Sequence, residues 1–170
     1  MNQKPHTSRV LATLALTGLL AASAAHAIEV GQPAPAFELP GQQGTVQLSA
    51  YKGKTVYLDF WASWCGPCKQ SFPWMNDMQK KYGAKGLRVV GVNLDQKPED
   101  AKAFLATTPA QFDIAFDSAG QAPKQYGIKG MPTSMLIGPD GKVLMVHQGF
   151  KSEGRDELEA QIKQALHIKE

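Results

Sequence analysis

Residues 55–62 (TVYLDFWA) constrain the chain more than any other stretch. They are β-branched and aromatic, and nearly continuously apolar, with Asp59 the one acid among them. A strand with one face in water alternates apolar and polar side chains. An unbroken apolar run is the pattern of a strand buried on both faces. Such a strand needs strands on either side and layers above and below it, which points to an α/β fold.

The flanking sequence supplies those layers. Residues 28–40 form a Pro- and Gly-punctuated lead-in, and apolar pieces at 37–39 and 45–48 flank a turn at Gly41-Gln42-Gln43-Gly44. A helix is expected from the cysteine motif after residue 62 to about Tyr82, with Gly83 and Gly86 ending it. Residues 87–94 (LRVVGVNL) read as a second buried strand, and 97–107 has helical spacing at Ala101, Phe104 and Leu105, with Pro98 suited to a first turn. Residues 112–116 are a short strand candidate and 121–126 at most a brief helix. Residues 133–137 and 142–148 flank the hairpin signal Pro139-Asp140-Gly141. Residues 153–167 are amphipathic, with Leu158, Ile162 and Leu166 four apart. This alternation predicts one domain over residues 28–170, a central sheet with a parallel part covered by helices.

The first 27 residues are expected to be a leader instead of part of that domain. Lys4 and Arg9 precede a short apolar stretch at 10–22, followed by small residues closing in Ala25-His26-Ala27. Basic, apolar and A-x-A segments in that order make a secretory signal peptide cleaved after Ala27. The apolar stretch is shorter than the roughly 20 residues of a spanning helix. Cleavage would take two basic side chains with it and leave a net charge of +1. That balance argues for no nucleic-acid or membrane-surface partner, and a soluble chain, a monomer, is expected after cleavage.

The two cysteines, Cys65 and Cys68, sit in one motif, Trp64-Cys65-Gly66-Pro67-Cys68. A bridge between them closes so short a loop that it adds little stability; the pair is better placed to react. Strand 55–62 ends just before Cys65 and a helix starts there. The unpaired N–H groups and positive dipole end of a helix N-terminus stabilise a thiolate. Cys65 is therefore the expected nucleophile and the more exposed sulfur, and Cys68, one turn into the helix, the resolving thiol. Gly66 and Pro67 suit a tight helix start. The competing reading is a fortuitous or metal-binding CxxC. Zinc would need two further ligands, and His147 and His167 are too isolated to be assigned, so no metal or cofactor is expected beyond the redox-active Cys65–Cys68 disulfide.

From Asp59 to Lys69 the sequence (DFWASWCGPCK) resembles the active-site segment of thioredoxin nearly residue for residue. Pro73 matches the proline of thioredoxin's active-site helix, and Gly130-Met131-Pro132-Thr133 resembles the segment that holds the family's cis-proline. Without the resemblance, Pro132 would read as an ordinary trans proline before a strand. With its leader, its lead-in and the extra stretch at about 96–113, the chain is identified as a member of the exported TlpA/ResA-like branch of the thioredoxin superfamily. The lead-in is also similar to that of peroxiredoxins, where Cys65 would sit in the wrong kind of motif. The resemblance implies a thioredoxin-like three-layer fold with a central mixed sheet, flanking helices and an extra helix inserted in the middle.

For the site, the resemblance implies that Cys65 attacks and Cys68 resolves, with Trp64 packed beside the sulfurs and limiting access. Met131 and Pro132 would offer a backbone edge to a substrate chain, and Asp59 would relay the proton of Cys68. An acid in an apolar strand has its pKa raised by desolvation, which suits that task; the alternative for Asp59 is a surface or salt-bridged acid. Two departures stand out. Many members of the branch carry a neutral residue where Asp59 stands. The branch also often places a Glu near the cysteines in the inserted region, where the nearest residues here are Asp95 and Gln96, so that role stays open.

Gly-Pro between the cysteines accompanies reducing potentials of about −270 mV. The expectation is a periplasmic reductant of client proteins with an oxidised cysteine pair, of the cytochrome c or copper-site maturation type. Its electrons would come from a membrane thiol reductant of DsbD type. The alternatives are a metallochaperone holding Cu(I) between two soft thiolates, a thiol peroxidase, and a non-catalytic interaction module with a vestigial motif.

Overall fold

The computed structural model describes residues 27–168; the expected leader lies outside them apart from Ala27. The order of elements is β1 (Glu38–Gly41), β2 (Gly44–Gln47), β3 (Thr55–Trp61), α1 (Gly66–Tyr82), β4 (Leu87–Asn93), α2 (Pro98–Thr107), β5 (Asp113–Phe116), α3 (Gln121–Gln125), β6 (Thr133–Ile137), β7 (Val143–Gln148) and α4 (Arg155–Ala165). The seven strands form one mixed sheet in the order β2-β1-β5-β4-β3-β6-β7. All but the last residue of the run at 55–62 form an interior strand: every residue of β3 is buried, with β4 parallel on one side and β6 antiparallel on the other.

The alternation of side chains along β3 divides two cores. Tyr57 and Trp61 point to the face covered by α1, α2 and α4, where they meet Phe72, Trp74, Met75, Phe104, Leu158 and Ile162. Val56, Leu58 and Phe60 point to the other face, against Ala122 and Tyr126 from the α3 region and Phe37 and Val46 from the lead-in. The result is helices, sheet, then helix and lead-in: a thioredoxin-like three-layer α/β fold, with α2 as the extra helix. Around the site the first core is aromatic. Trp61 lies 4.8 Å from Phe72 and 4.9 Å from Phe104, and Phe72 lies 5.0 Å from Phe104 and 5.3 Å from Phe112. Contacts of this geometry contribute about 0.5–1.5 kcal/mol each beyond burial, so the end of β3 is firmly tied to α1 and α2.

Three expectations shift in detail. Gly83 keeps right-handed backbone (φ −58°) and leads into a 3-10 turn over residues 83–85, so the helical path ends only at Gly86, whose φ of +104° suits glycine. A separate 3-10 turn at residues 152–154 precedes α4, which begins at Arg155. The lead-in hairpin joins the sheet through Gly41 opposite Ala115 on β5. Among the described residues, no helix is long and apolar enough to cross a membrane.

Candidate active site

The cysteines stand at the strand–helix junction. Beyond the last rung of the β3–β4 ladder, Leu94 N–H to the Trp61 carbonyl (2.9 Å), β3 bends away from the sheet. The bend is closed by Cys65 N–H donating to the Ala62 carbonyl at 3.1 Å. Cys65 then takes the extended backbone of an N-cap (φ −85°, ψ 103°), with Pro67 in the first turn of α1. Its sulfur accepts the Cys68 backbone N–H at 3.3 Å. Cys65 and Cys68 form a disulfide with their Cα atoms 5.3 Å apart. Cys65 is 5% exposed and Cys68 fully buried, so Cys65 is the more exposed of the two residues, by a narrow margin. Trp64, expected to pack beside the sulfurs, is 73% exposed. Gly66 and Pro67 are exposed beside it.

Asp59 lies in the middle of β3, 2% exposed, on the face that α1 covers, as Tyr57 and Trp61 do. Its cross-strand neighbours are Gly91 and Ser134. Gly91 brings no side chain, and the Ser134 hydroxyl accepts the Tyr57 hydroxyl at 2.8 Å. Asp59 Oδ2 is buried with no hydrogen-bond partner among the described residues, as are the indole nitrogens of Trp61 and Trp74 on the same face. Desolvation without a compensating cation pushes the Asp59 carboxyl well above the usual 3.8. It is an interior acid, almost without surface exposure and with no salt bridge among the described residues.

The third part of the site comes from far along the chain. Pairing of β6 with β3 ends at Thr133 opposite Phe60, which brings residues 130–132 to the same end of the sheet as the cysteines. The Met131–Pro132 bond is cis. The Pro132 carbonyl accepts Gly149 N–H at 2.8 Å, and Thr133 Oγ1 donates to the Gly130 carbonyl at 2.7 Å. Met131 is half-buried against the α1-side core, and its backbone N–H and carbonyl make no hydrogen bond among the described residues.

Of the two residues whose role was open, Asp95 is buried and bonded to Ser63, just before the motif, whereas Gln96 is exposed. Asp95 accepts the backbone N–H of Ser63 (3.0 and 3.3 Å), the Ser63 hydroxyl (3.0 Å) and the side-chain amide of Asn93 (2.7 Å), and its own N–H donates to Asn93 Oδ1 at 3.1 Å. Ser63 and Asn93 were not singled out from sequence; two polar residues closing a buried strand, as in Asn93-Leu94-Asp95, were the available sign. Among the described residues, no three metal-binding side chains are grouped to hold an ion.

The family model described as Redoxin matches residues 29–162. The chain belongs to the Redoxin family. This redoxin is 35% identical over 137 residues to the thiol-disulfide oxidoreductase ResA of Bacillus thuringiensis subsp. konkukian, covering 80% of this chain and 78% of that one. It is 59% identical to a solved structure designated a thiol:disulfide interchange protein DsbE from Chlorobium tepidum, with a TM-score of 0.81 over 82% of this chain and 99% of that one. It is 25% identical, with a TM-score of 0.71, to the thioredoxin domain of a thiol-disulfide oxidoreductase from Bacteroides vulgatus, over 79% and 98% of the two chains. The redoxin is accordingly a ResA/DsbE-like thiol–disulfide oxidoreductase with a CxxC pair.

Proposed function

We propose that the protein is a periplasmic reductant that passes two electrons from Cys65 and Cys68 to an oxidised cysteine pair on a client protein, with no cofactor beyond its own sulfurs. The observation that carries this reading is the bonded Cys65–Cys68 pair at the start of α1, with the orphaned Asp59 carboxyl on the sheet face beneath that helix. In the reduced protein, the amide that meets the Cys65 sulfur and the positive end of α1 favour a thiolate there. Exposed Trp64, Gly66 and Pro67 form the surface a client meets. The unbonded backbone of Met131, set by Pro132, pairs with the client chain by strand addition.

The Cys65 thiolate attacks one sulfur of the client disulfide; a Cys65–client bond forms, and the other client sulfur leaves as a thiolate. The Asp59 carboxylate takes the proton of Cys68. The Cys68 thiolate then attacks the Cys65 sulfur, which closes the Cys65–Cys68 bond and releases the second client thiolate. Two electrons have moved, and Asp59 ends protonated. That is the form favoured by its raised pKa in a structure that already holds the disulfide.

The leader-like residues 1–27 support export. In an oxidising compartment a reductant must be recharged, for which a membrane thiol reductant of DsbD type is the proposed donor. Clients are cysteine pairs awaiting haem or copper. Equilibration of the Cys65–Cys68 couple with glutathione tests the direction: a potential near about −270 mV is expected, and one near about −120 mV makes the protein an oxidant and sinks the reading.

A further inference from the structure

Asp95 is a buried carboxylate without a cation. Among the described residues the ion pairs join Lys81 to Glu159 and Lys142 to Asp140, and none reaches Asp95. Its charge is met only by dipoles: two donors from Ser63 and one from Asn93. A carboxylate kept buried on neutral donors alone is costly, and this one is bonded to Ser63, two residues before Cys65. The parallel register of Trp61 with Asn93 explains its position. Where β3 leaves the sheet, the Ser63 N–H has no ladder carbonyl to bind, and β4 sends Asp95 across the gap to take it. Ser63 precedes Cys65 by two residues, inside the bend closed by Cys65 N–H and the Ala62 carbonyl. Two residues span at most roughly 7 Å, so the carboxylate, which takes the Ser63 N–H at 3.0 Å, lies within about 13 Å of the Cys65 sulfur, near enough for its charge to offset part of the field of α1.

Resting on the reading that Cys65 and Cys68 exchange disulfides, we propose that Asp95 is a positioning and potential-setting residue: it holds the bend that aims the Cys65 sulfur, and its charge disfavours the Cys65 thiolate and so keeps the couple reducing. Positive helix-end groups stabilise the reduced state and make such a couple more oxidising. A fixed negative charge works the other way.

The test equilibrates wild type, Asp95→Asn, Asp95→Ala and Ser63→Ala with glutathione buffers and measures the rate of insulin-disulfide reduction by each reduced protein. Asp95→Asn keeps an acceptor and loses the charge; its equilibrium constant should move about tenfold toward the dithiol, as for a nearby charge screened at a protein surface. Asp95→Ala should show the same shift and, with the bend loosened, exchange about tenfold slower. Ser63→Ala keeps the charge, and its equilibrium constant should stay within about twofold of wild type. A merely structural Asp95 would alter melting temperature and leave the equilibrium constant of the folded variants unmoved. A folded Asp95→Asn within about twofold of wild type overturns the proposal, whatever the Ala variant does. Those outcomes leave the redox reading standing; a wild type that does not equilibrate with glutathione removes both.

Discussion

Replacing Asp59 with asparagine should change how the stability of the oxidised protein depends on pH. The wild-type carboxyl is buried, lacks a partner at Oδ2 and is raised well above 3.8 by desolvation. Between about pH 4 and that raised value, the folded chain holds a proton that the unfolded chain has released. Protons bound in excess by the native state make stability fall as pH rises, at about 1.4 kcal/mol per pH unit for one group. The contribution is therefore complete below the unfolded pKa and is lost on the way up to the folded one, the reverse of an acid held in a salt bridge. Asp59→Asn keeps the shape and has no proton to lose. Urea unfolding of the two disulfide-bonded proteins from about pH 4.5 to 7.5 isolates the effect, because every other titrating group is common to both. Asparagine should gain on wild type as pH rises, and each pH unit inside the window should separate the midpoints by roughly half a molar or more. A gap that stays constant over the whole range would refute the buried-acid argument, and the proton role proposed for Asp59 would fall with it.

Two other substitutions probe surface and seam. Trp64→Ala removes a side chain that is 73% exposed; stability should change by less than about 0.5 kcal/mol, while kcat/KM for a protein disulfide falls severalfold, and an unchanged kcat/KM would remove Trp64 from the client surface. Gly41→Ala should destabilise by about 1–3 kcal/mol, measured as a lower melting temperature, because its Cβ would come within 2.5 Å of Val46 Cγ2, 2.7 Å of the Gly44 carbonyl and 2.9 Å of the Ile114 carbonyl.

What was readable from sequence was local. The nearly continuous apolar run marked β3, the CxxC after it marked the strand–helix junction, Pro139-Asp140-Gly141 marked the β6–β7 hairpin, and the spacing of Leu158 and Ile162 marked the buried side of α4. Resemblance added the cis bond before Pro132, which residue order alone would have made trans. Register was not readable. That Asp95 reaches Ser63 depends on Trp61 lying opposite Asn93 in a parallel ladder, and no periodicity within either strand encodes that alignment. The exposure of Trp64 was missed for a related reason: a tryptophan beside two sulfurs suggests packing, but nothing in the sequence shows whether a neighbour arrives to cover it. Gly83 and Gly86 look alike as letters, and only the backbone shows which one takes the left-handed turn.

The lead-in has a consequence for the order in which this chain can assemble. Beyond its own β1–β2 hairpin, its partners lie far downstream: Ile28 N–H meets the Tyr126 carbonyl, the Tyr126 hydroxyl reaches the Pro35 carbonyl at 2.6 Å, Gly31 N–H binds the Val143 carbonyl, and Gly41 pairs with Ala115. As the chain is made from its N-terminus, residues 28–47 can close only their own hairpin until most of the domain follows. Contacts so distant along the chain are slow to form, and β3 in the meantime lacks both β6 and the cover on its second face. The lead-in is thus made before the rest of the domain and docked onto it late, and a chain cut short before Ile114 would leave it loose.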